Sequence, residues 1–346
     1  MKKLNYLFAT AAMMVAMVLA SCSVEDLPVD PDAPKIHDGD ELATAIAQYT
    51  EVIDGVPTLK LPEGVSVVLT QAVERDAPLL IEGDEDKPAN IKISGEGKFV
   101  ALAGIGLKNV VIDASELGST LVTIGVDEPA DWSSITVGFD GVTIKELKKS
   151  LVATACKNYY MAVSVENSRI QVSADVTVFD FTKGGALLSL EIDGSTFWAP
   201  TATSKSFFST QGGQKATDYQ AEAIQRFEFD ESTFYNFAKS KNFFSHRQSN
   251  QTWLVYEVED CIFVNCGKKG LVIKGLNGGQ SGKNPSWIIK GNVFNFDGED
   301  SSADESTGDD DEPVMDSKAV VVKFADADNG NFKQDQVKAG DPFWYE

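Results

Sequence analysis

A short motif recurs six times between residues 137 and 294: an alternating strand, a polar turn and a closing Ile or Phe. Its first copy reads Val137-Gly138-Phe139-Asp140-Gly141-Val142-Thr143-Ile144, and further copies occupy 163–170, 190–197, 227–234, 256–263 and 287–294. The closing positions 144, 170, 197, 234, 263 and 294 lie 26, 27, 37, 29 and 31 residues apart. That interval fits three short strands and three bends. Such a unit cannot bury its own apolar face, so it must stack on copies of itself. Stacking predicts an internal ladder of Phe197, Phe234, Phe263 and Phe294. The uneven spacing predicts bends of different length. An immunoglobulin-like sandwich gives no reason for one turn-and-closer pattern to recur, and a propeller blade needs about 40–50 residues per repeat.

The first third of the chain prepares this stack. Asp38 or Asp40 is placed to cap a helix, and Leu42, Ala45, Ile46 and Tyr49 then form one apolar stripe. Short strands follow at 65–69, 79–81, 91–94, 99–102 and 110–112, bounded by turn-forming Gly, Pro, Asp and Asn. Together with Leu59-Lys60-Leu61-Pro62-Glu63-Gly64, this arrangement resembles the start of a pectate-lyase-like right-handed β-helix. There a short helix covers the open end of the first coil, which otherwise presents an apolar floor and unpaired strand edges. The expected fold is all-β: a right-handed parallel β-helix, a pectin-lyase-like solenoid, with a short N-terminal capping helix.

The resemblance extends to named domains. Residues 38–150 look like DUF4957, a β-helix domain of Bacteroidetes lipoproteins, and 151–346 look like its companion DUF5123. The second likeness rests on Phe234-Tyr235-Asn236, Phe263-Val264-Asn265 and Phe294-Asn295, and on the ending Gly340-Asp341-Pro342-Phe343-Trp344, with Phe343 where arginine is usual. These motifs imply a fold and carry no established chemistry.

The N-terminus reads as an export signal. Lys2 and Lys3 precede an apolar run over 7–19 that is too short to span a membrane. Leu19-Ala20-Ser21-Cys22 resembles the lipobox of bacterial lipoproteins. The resemblance implies a signal peptide over 1–21, lipidation at Cys22 and a membrane anchor through acyl chains alone. Ser23-Val24-Glu25-Asp26 resembles a surface-export tag, and 22–37 reads as an extended tether with Pro28, Pro31 and Pro34. The expected location is the cell envelope, on the outer face of the outer membrane. Cleavage removes two of the 30 basic residues and leaves 28 against 52 acids, or −24. Such a field repels polyanions, which excludes nucleic acid as a partner. A monomer is expected.

Candidate chemistry is sparse. Cys156, Cys261 and Cys266 read as buried small hydrophobes. The stretch 297–316 holds ten acids and no base. Calcium is the one ion it suggests, but it lacks the order of a calcium loop, so a solvated loop is expected and no cofactor is assigned. A lyase needs acids and a base at matching heights of neighbouring coils. Arg226, Lys239, Arg247 and Lys268 are available bases, and Asp230, Glu231, Glu257 and Glu259 are available acids, without a lyase signature around any of them. No spacing singles out a glycosidase carboxylate pair, and His246 is the one histidine beyond residue 37. Trp132, Trp198, Trp253 and Trp287 lie near strand ends or long connections. The connections 199–220 and 239–253 interrupt the repeat most, with Trp198 and Trp253 at their edges. These two are the expected sugar-stacking residues. The leading expectation is a surface lipoprotein that binds or presents a polysaccharide without catalysis. The alternatives are a lyase or glycoside hydrolase acting on a uronate-rich glycan, and a structural or adhesive protein.

Overall fold

The computed structural model describes residues 36–210, 224–245, 253–273, 285–305 and 316–345. The stretch expected to be a signal peptide (1–21), Cys22 and nearly all of the expected tether (22–37) lie outside the described residues. So do Arg247, His246 and residues 211–220 and 246–252 of the two long connections.

Over the described residues the chain is a right-handed parallel β-helix of about eight turns with one short α-helix. Each of the first seven turns contributes one strand to each of three faces. The first sheet runs from Val56–Lys60 to the start of Pro285–Phe296. The second runs from Ser66–Leu69 to the end of that same strand. The third runs from Ala72–Arg75 to Phe244–Ser245. Strands on either side of residue 150 pair in parallel on all three faces, with one register shift between Ile144 and Leu147 on the second.

The turn between the first and second sheets explains the polar residues of the repeat. One residue per coil adopts a left-handed conformation there: Asn109, Gly141, Asn167, Gly194, Glu231, Asp260 and Gly291. Asn and Asp tolerate this region because their short side chains bond locally, and Gly enters it without steric cost. The next residue points inward. Ser168 Oγ accepts from Val142 N–H, Ser195 Oγ from Ser168 N–H and Ser232 Oγ from Ser195 N–H, at 3.0, 3.0 and 3.1 Å. A buried hydroxyl column thus satisfies amides that the tight turn would otherwise orphan.

The closing residues form the expected ladder. Phe197, Phe234, Phe263 and Phe294 stack with centroids 5.8, 4.9 and 5.3 Å apart and rings within 11° of parallel. Phe207 and Phe243 meet the ladder edge-on from the third face. Asn236 and Asn265, each two residues after its closer, align on neighbouring coils, and Asn265 Nδ2 donates to Asn236 Oδ1 at 3.2 Å. Cys261 and Cys266 are buried free thiols, and Cys156 is half-buried.

Helix α1 (Leu42–Tyr49) covers the first coil and buries Leu42, Ala45 and Ile46. Its acids act differently from expectation. The N-cap residue is Glu41, and its side chain does not cap the helix. Glu41 instead accepts from Thr70 N–H and Oγ1, and Asp38 accepts from Ser66 N–H. These carboxylates fasten the lid to the coil beneath it, where free strand-edge amides need acceptors more than the helix does. Among the described residues no helix is long and apolar enough to cross a membrane.

The acidic stretch also departs from a purely solvated loop. Glu299–Asp300 folds back antiparallel on 295–296. Glu305 is 6% exposed, and its two carboxylate oxygens accept from Val272 N–H and Ile273 N–H at 2.5 and 2.9 Å. It closes the last coil as a buried anchor. Residues 306–315 lie outside the described residues.

The chain then runs back over the outer face of the second sheet. Phe324, Phe332 and Trp344 pack with Trp198 and Tyr235. The terminal motif locks this strap. Asp341, 2% exposed, accepts from Thr196 Oγ1 at 2.7 Å and faces Arg169 at 3.8 Å. Trp344 Nε1 donates to the same Thr196 hydroxyl, and the Arg169 guanidinium lies 3.7 Å from the Phe343 ring centre.

Candidate functional site

The outer face of the first sheet is left open by the strap. Strand alternation puts Ser134, Thr136, Gly138 and Asp140 outward on one coil, and Tyr160, Ala162, Ser164 and Glu166 outward on the next. Pairing aligns Leu80, Gly106, Gly138 and Ser164 in one column across four coils. Three small residues in succession leave a groove there, walled by Thr136 on one side and by Lys108, Asp140 and Glu166 on the other. Leu80 closes one end, and a Cβ placed on Gly106 would come 3.0 Å from its Cδ1. Ser164 is buried at the bottom.

Two aromatic rings stand farther along the same strands. Trp132 and Tyr160 stack at 4.6 Å between centroids, 29° from parallel, and both are partly exposed. Tyr160 precedes Ser164 by four residues, or about 13 Å of extended strand. The groove and the ring pair therefore lie within the reach of one short oligosaccharide.

Beyond Ser164 the same column continues as Glu191, Glu228 and Glu257. The neighbouring column reads Lys108, Asp140, Glu166, Asp193, Asp230, Glu259 and Lys290. Like charges at the strand spacing of roughly 4.8 Å repel one another. Burial raises the Glu166 carboxyl to about 7, with repulsion from Asp140, Asp193 and Glu191 adding to it and Lys108 opposing. Asp230 rises to about 6 through burial and the charges of Asp193, Glu231 and Glu259. Glu228 rises to about 7 through burial and a hydrogen bond shared with Glu257. Burial also raises Glu191 and Asp193. The ends of the array are neutralised, since Lys108 lies 3.8 Å from both Glu82 and Asp140 and Lys290 is 2.5 Å from Glu259.

The bases considered for proton abstraction are committed or remote. Arg226 pairs with Glu228 and lies 3.5 Å from Glu257. Lys239 pairs with Asp297 and faces the Phe296 ring, on the other side of the solenoid. Lys268 stands in the bend after Ile262–Val264 of the second sheet, away from the carboxylate columns, where its backbone forms an isolated β-bridge with Leu271. Among the described residues no three His, Cys, Asp or Glu side chains converge to ligate a metal ion.

Trp198 is placed away from this groove. It stands on the second sheet beneath the strap, edge-on to Phe332 at 5.9 Å, with Gly330 packed on its ring. Its indole N–H is buried without a hydrogen-bond partner among the described residues. A sugar reaches its face only if the strap leaves. Trp253 opens the strand Trp253–Glu259 of the first sheet, paired with Ile224, and its side chain lies outside the described residues. Sequence reasoning missed the Trp132–Tyr160 pair and the glycine column, because the pairing across coils, which brings them together, is not local. No family model and no curated protein matches the chain.

Proposed function

We propose that the protein is an envelope-anchored β-helix lipoprotein that binds a polysaccharide on the outer face of its first sheet, without catalysis. One observation carries this reading: a shallow groove floored by Gly106, Gly138 and Ser164 lies on the same sheet face as the stacked Trp132–Tyr160 pair, which stands at the start of the two strands carrying Gly138 and Ser164. Aromatic faces pack against the apolar side of sugar rings, while hydroxyls bond to groups such as Thr136, Ser164 and Asp140. Elongated grooves on a solenoid face suit a linear polymer. The absence of catalysis is inferred from Arg226, the base nearest the carboxylates, whose ion pairs occupy it in place of a proton-abstracting role.

A glycan array with the chain from residue 38 onward tests the reading. Trp132→Ala should weaken binding by about tenfold and leave the melting temperature nearly unchanged, because the ring is partly exposed. Release of shortened or unsaturated products would replace binding with enzymatic cleavage. The anchor has its own test. Cys22→Ala should leave the protein soluble or as an uncleaved precursor, and recovery of a correctly processed Cys22→Ala protein in the membrane fraction, as for the parent, would refute the anchor.

A further inference from the structure

We infer that the groove seats a chain terminus: the end of a glycan docks on Gly106 and Gly138, and the chain leaves across the solenoid, along the strands, over the Trp132–Tyr160 pair. The inference rests on the groove reading and adds which part of a polysaccharide is recognised.

Two glycines point to a ligand that touches backbone. Gly106 and Gly138 lie inside the strands Ile105–Lys108 and Ser133–Asp140 and pair directly, with no bulge between them. Neither has a positive φ. A Cβ on Gly138 would meet only Ser164 Oγ, at the ordinary distance of 3.5 Å, and one on Gly106 would press on the far end of the Leu80 side chain at 3.0 Å. Gly97 differs, since a Cβ there would collide with the Leu69 carbonyl. The backbone therefore requires neither Gly106 nor Gly138, although glycine weakens a strand interior. Glycine inside an unbulged strand marks close approach of another group, and the space above these two is the groove itself.

The groove is closed on three sides. Leu80 stands at one axial end. At the other, one coil beyond Ser164, the Glu191 carboxylate is held by the Ser189 hydroxyl, with the Arg226–Glu228 pair behind it. Lys108, Asp140 and Glu166 form the third wall. On the fourth side only Thr136 and Ala162 stand between the groove and the rings, and both are small. A polymer's interior must leave a site by two sides and finds one here, whereas a chain end needs one. Tyr160 lies about 13 Å of strand from Ser164, room for the terminal sugar and about two more.

The test titrates the full-length chain with linear oligomers of glucose, of mannose and of N-acetylglucosamine, each of three, six and twelve units. At least one series should bind with one protein per oligomer at every length, and its affinity per chain should stop rising at three units. Interior recognition gives a twelve-unit chain ten three-unit windows in place of one. An affinity that climbs about tenfold from three to twelve units, or several proteins on one chain, therefore overturns the inference. Gly138→Ala should raise the melting temperature and yet weaken binding of the trimer. Gly138→Val, which fills the seat, should weaken it by about tenfold or more. A lower melting temperature for Gly138→Ala, or unchanged trimer affinity in both variants, overturns the inference. If binding in any of these cases still weakens with Trp132→Ala, the groove reading survives. Binding of no oligomer overturns the inference, and a blank glycan array then separately removes the groove reading.

Discussion

Glu166 sits where the geometry makes opposing demands. Its carboxyl is half-buried at the groove wall, flanked in its column by Asp140 and Asp193. The folded chain therefore holds a proton there, at about 7, that the unfolded chain would release near the ordinary carboxyl value of 4.5. The sign of the linkage follows. The folded state binds more protons between those values, so stability is fully present below about 4.5 and is lost as pH rises through 7. Glu228 and Asp230, at about 7 and 6, act in the same direction. Asp113 and Asp175 act oppositely. Hydrogen bonds from Ser115 and Ser204 hold them below the ordinary value, so their contribution is lost under strong acid. The melting temperature should therefore peak near pH 5 and fall towards pH 8. Glu166→Gln should raise the value at pH 8 and flatten the decline. A profile that climbs from pH 5 to 8, or an unchanged slope in the variant, would show that the array does not store protons in the folded state.

The ladder of closing phenylalanines was readable because it depends on one local pattern and one period. Each copy places its closer at the same step after the turn, and stacking follows from burial alone. Phe263 stacks on both Phe234 and Phe294 and is 1% exposed. Phe263→Ala should cost about 3–5 kcal/mol, the range for emptying an aromatic site in a rigid core, whereas Phe263→Leu should cost clearly less. Denaturant titration of the two variants checks the order. The same pattern did not reveal the groove. Gly106, Gly138 and Ser164 come from three coils with different connections, the first of them before the repeat begins, and only register makes them neighbours. Trp198 shows the converse. Its position after Phe197 places it outward, but the strap that covers it arrives more than a hundred residues later, with no local sign. The cap acids and Glu305 were misread for a related reason. A carboxylate beside a helix start, or within an acidic run, reads as a cap or a solvated charge, yet each finds strand-edge amides from a distant segment.

A solenoid's stability is approximately a sum of coil energies and nearest-neighbour interfaces, so its end coils tend to fray independently. The C-terminal strap breaks that locality. Asp341 reaches Arg169 and Thr196 on adjacent coils, its backbone N–H donates to Thr233 Oγ1 on the next, and Gly340 N–H donates to Asp260 O beyond. Four successive coils are thus tied by residues almost at the chain's end. Deleting 339–346 strands the Arg169 guanidinium, whose side chain is 24% exposed, without its carboxylate. It also removes the Trp344–Thr196 bond and the Trp344 edge of the aromatic cluster. Losing one partner of a largely buried ion pair costs about 3–5 kcal/mol, and the lost packing adds to it. The truncated chain should melt at lower temperature and over a broader range, because coils formerly tied together open separately. Hydrogen exchange should show that protection falls first at 262–264 and 233–235, while the helix-capped coils near 56–69 keep theirs. A sharp transition at the original temperature would mean that the stacked coils cooperate without the strap.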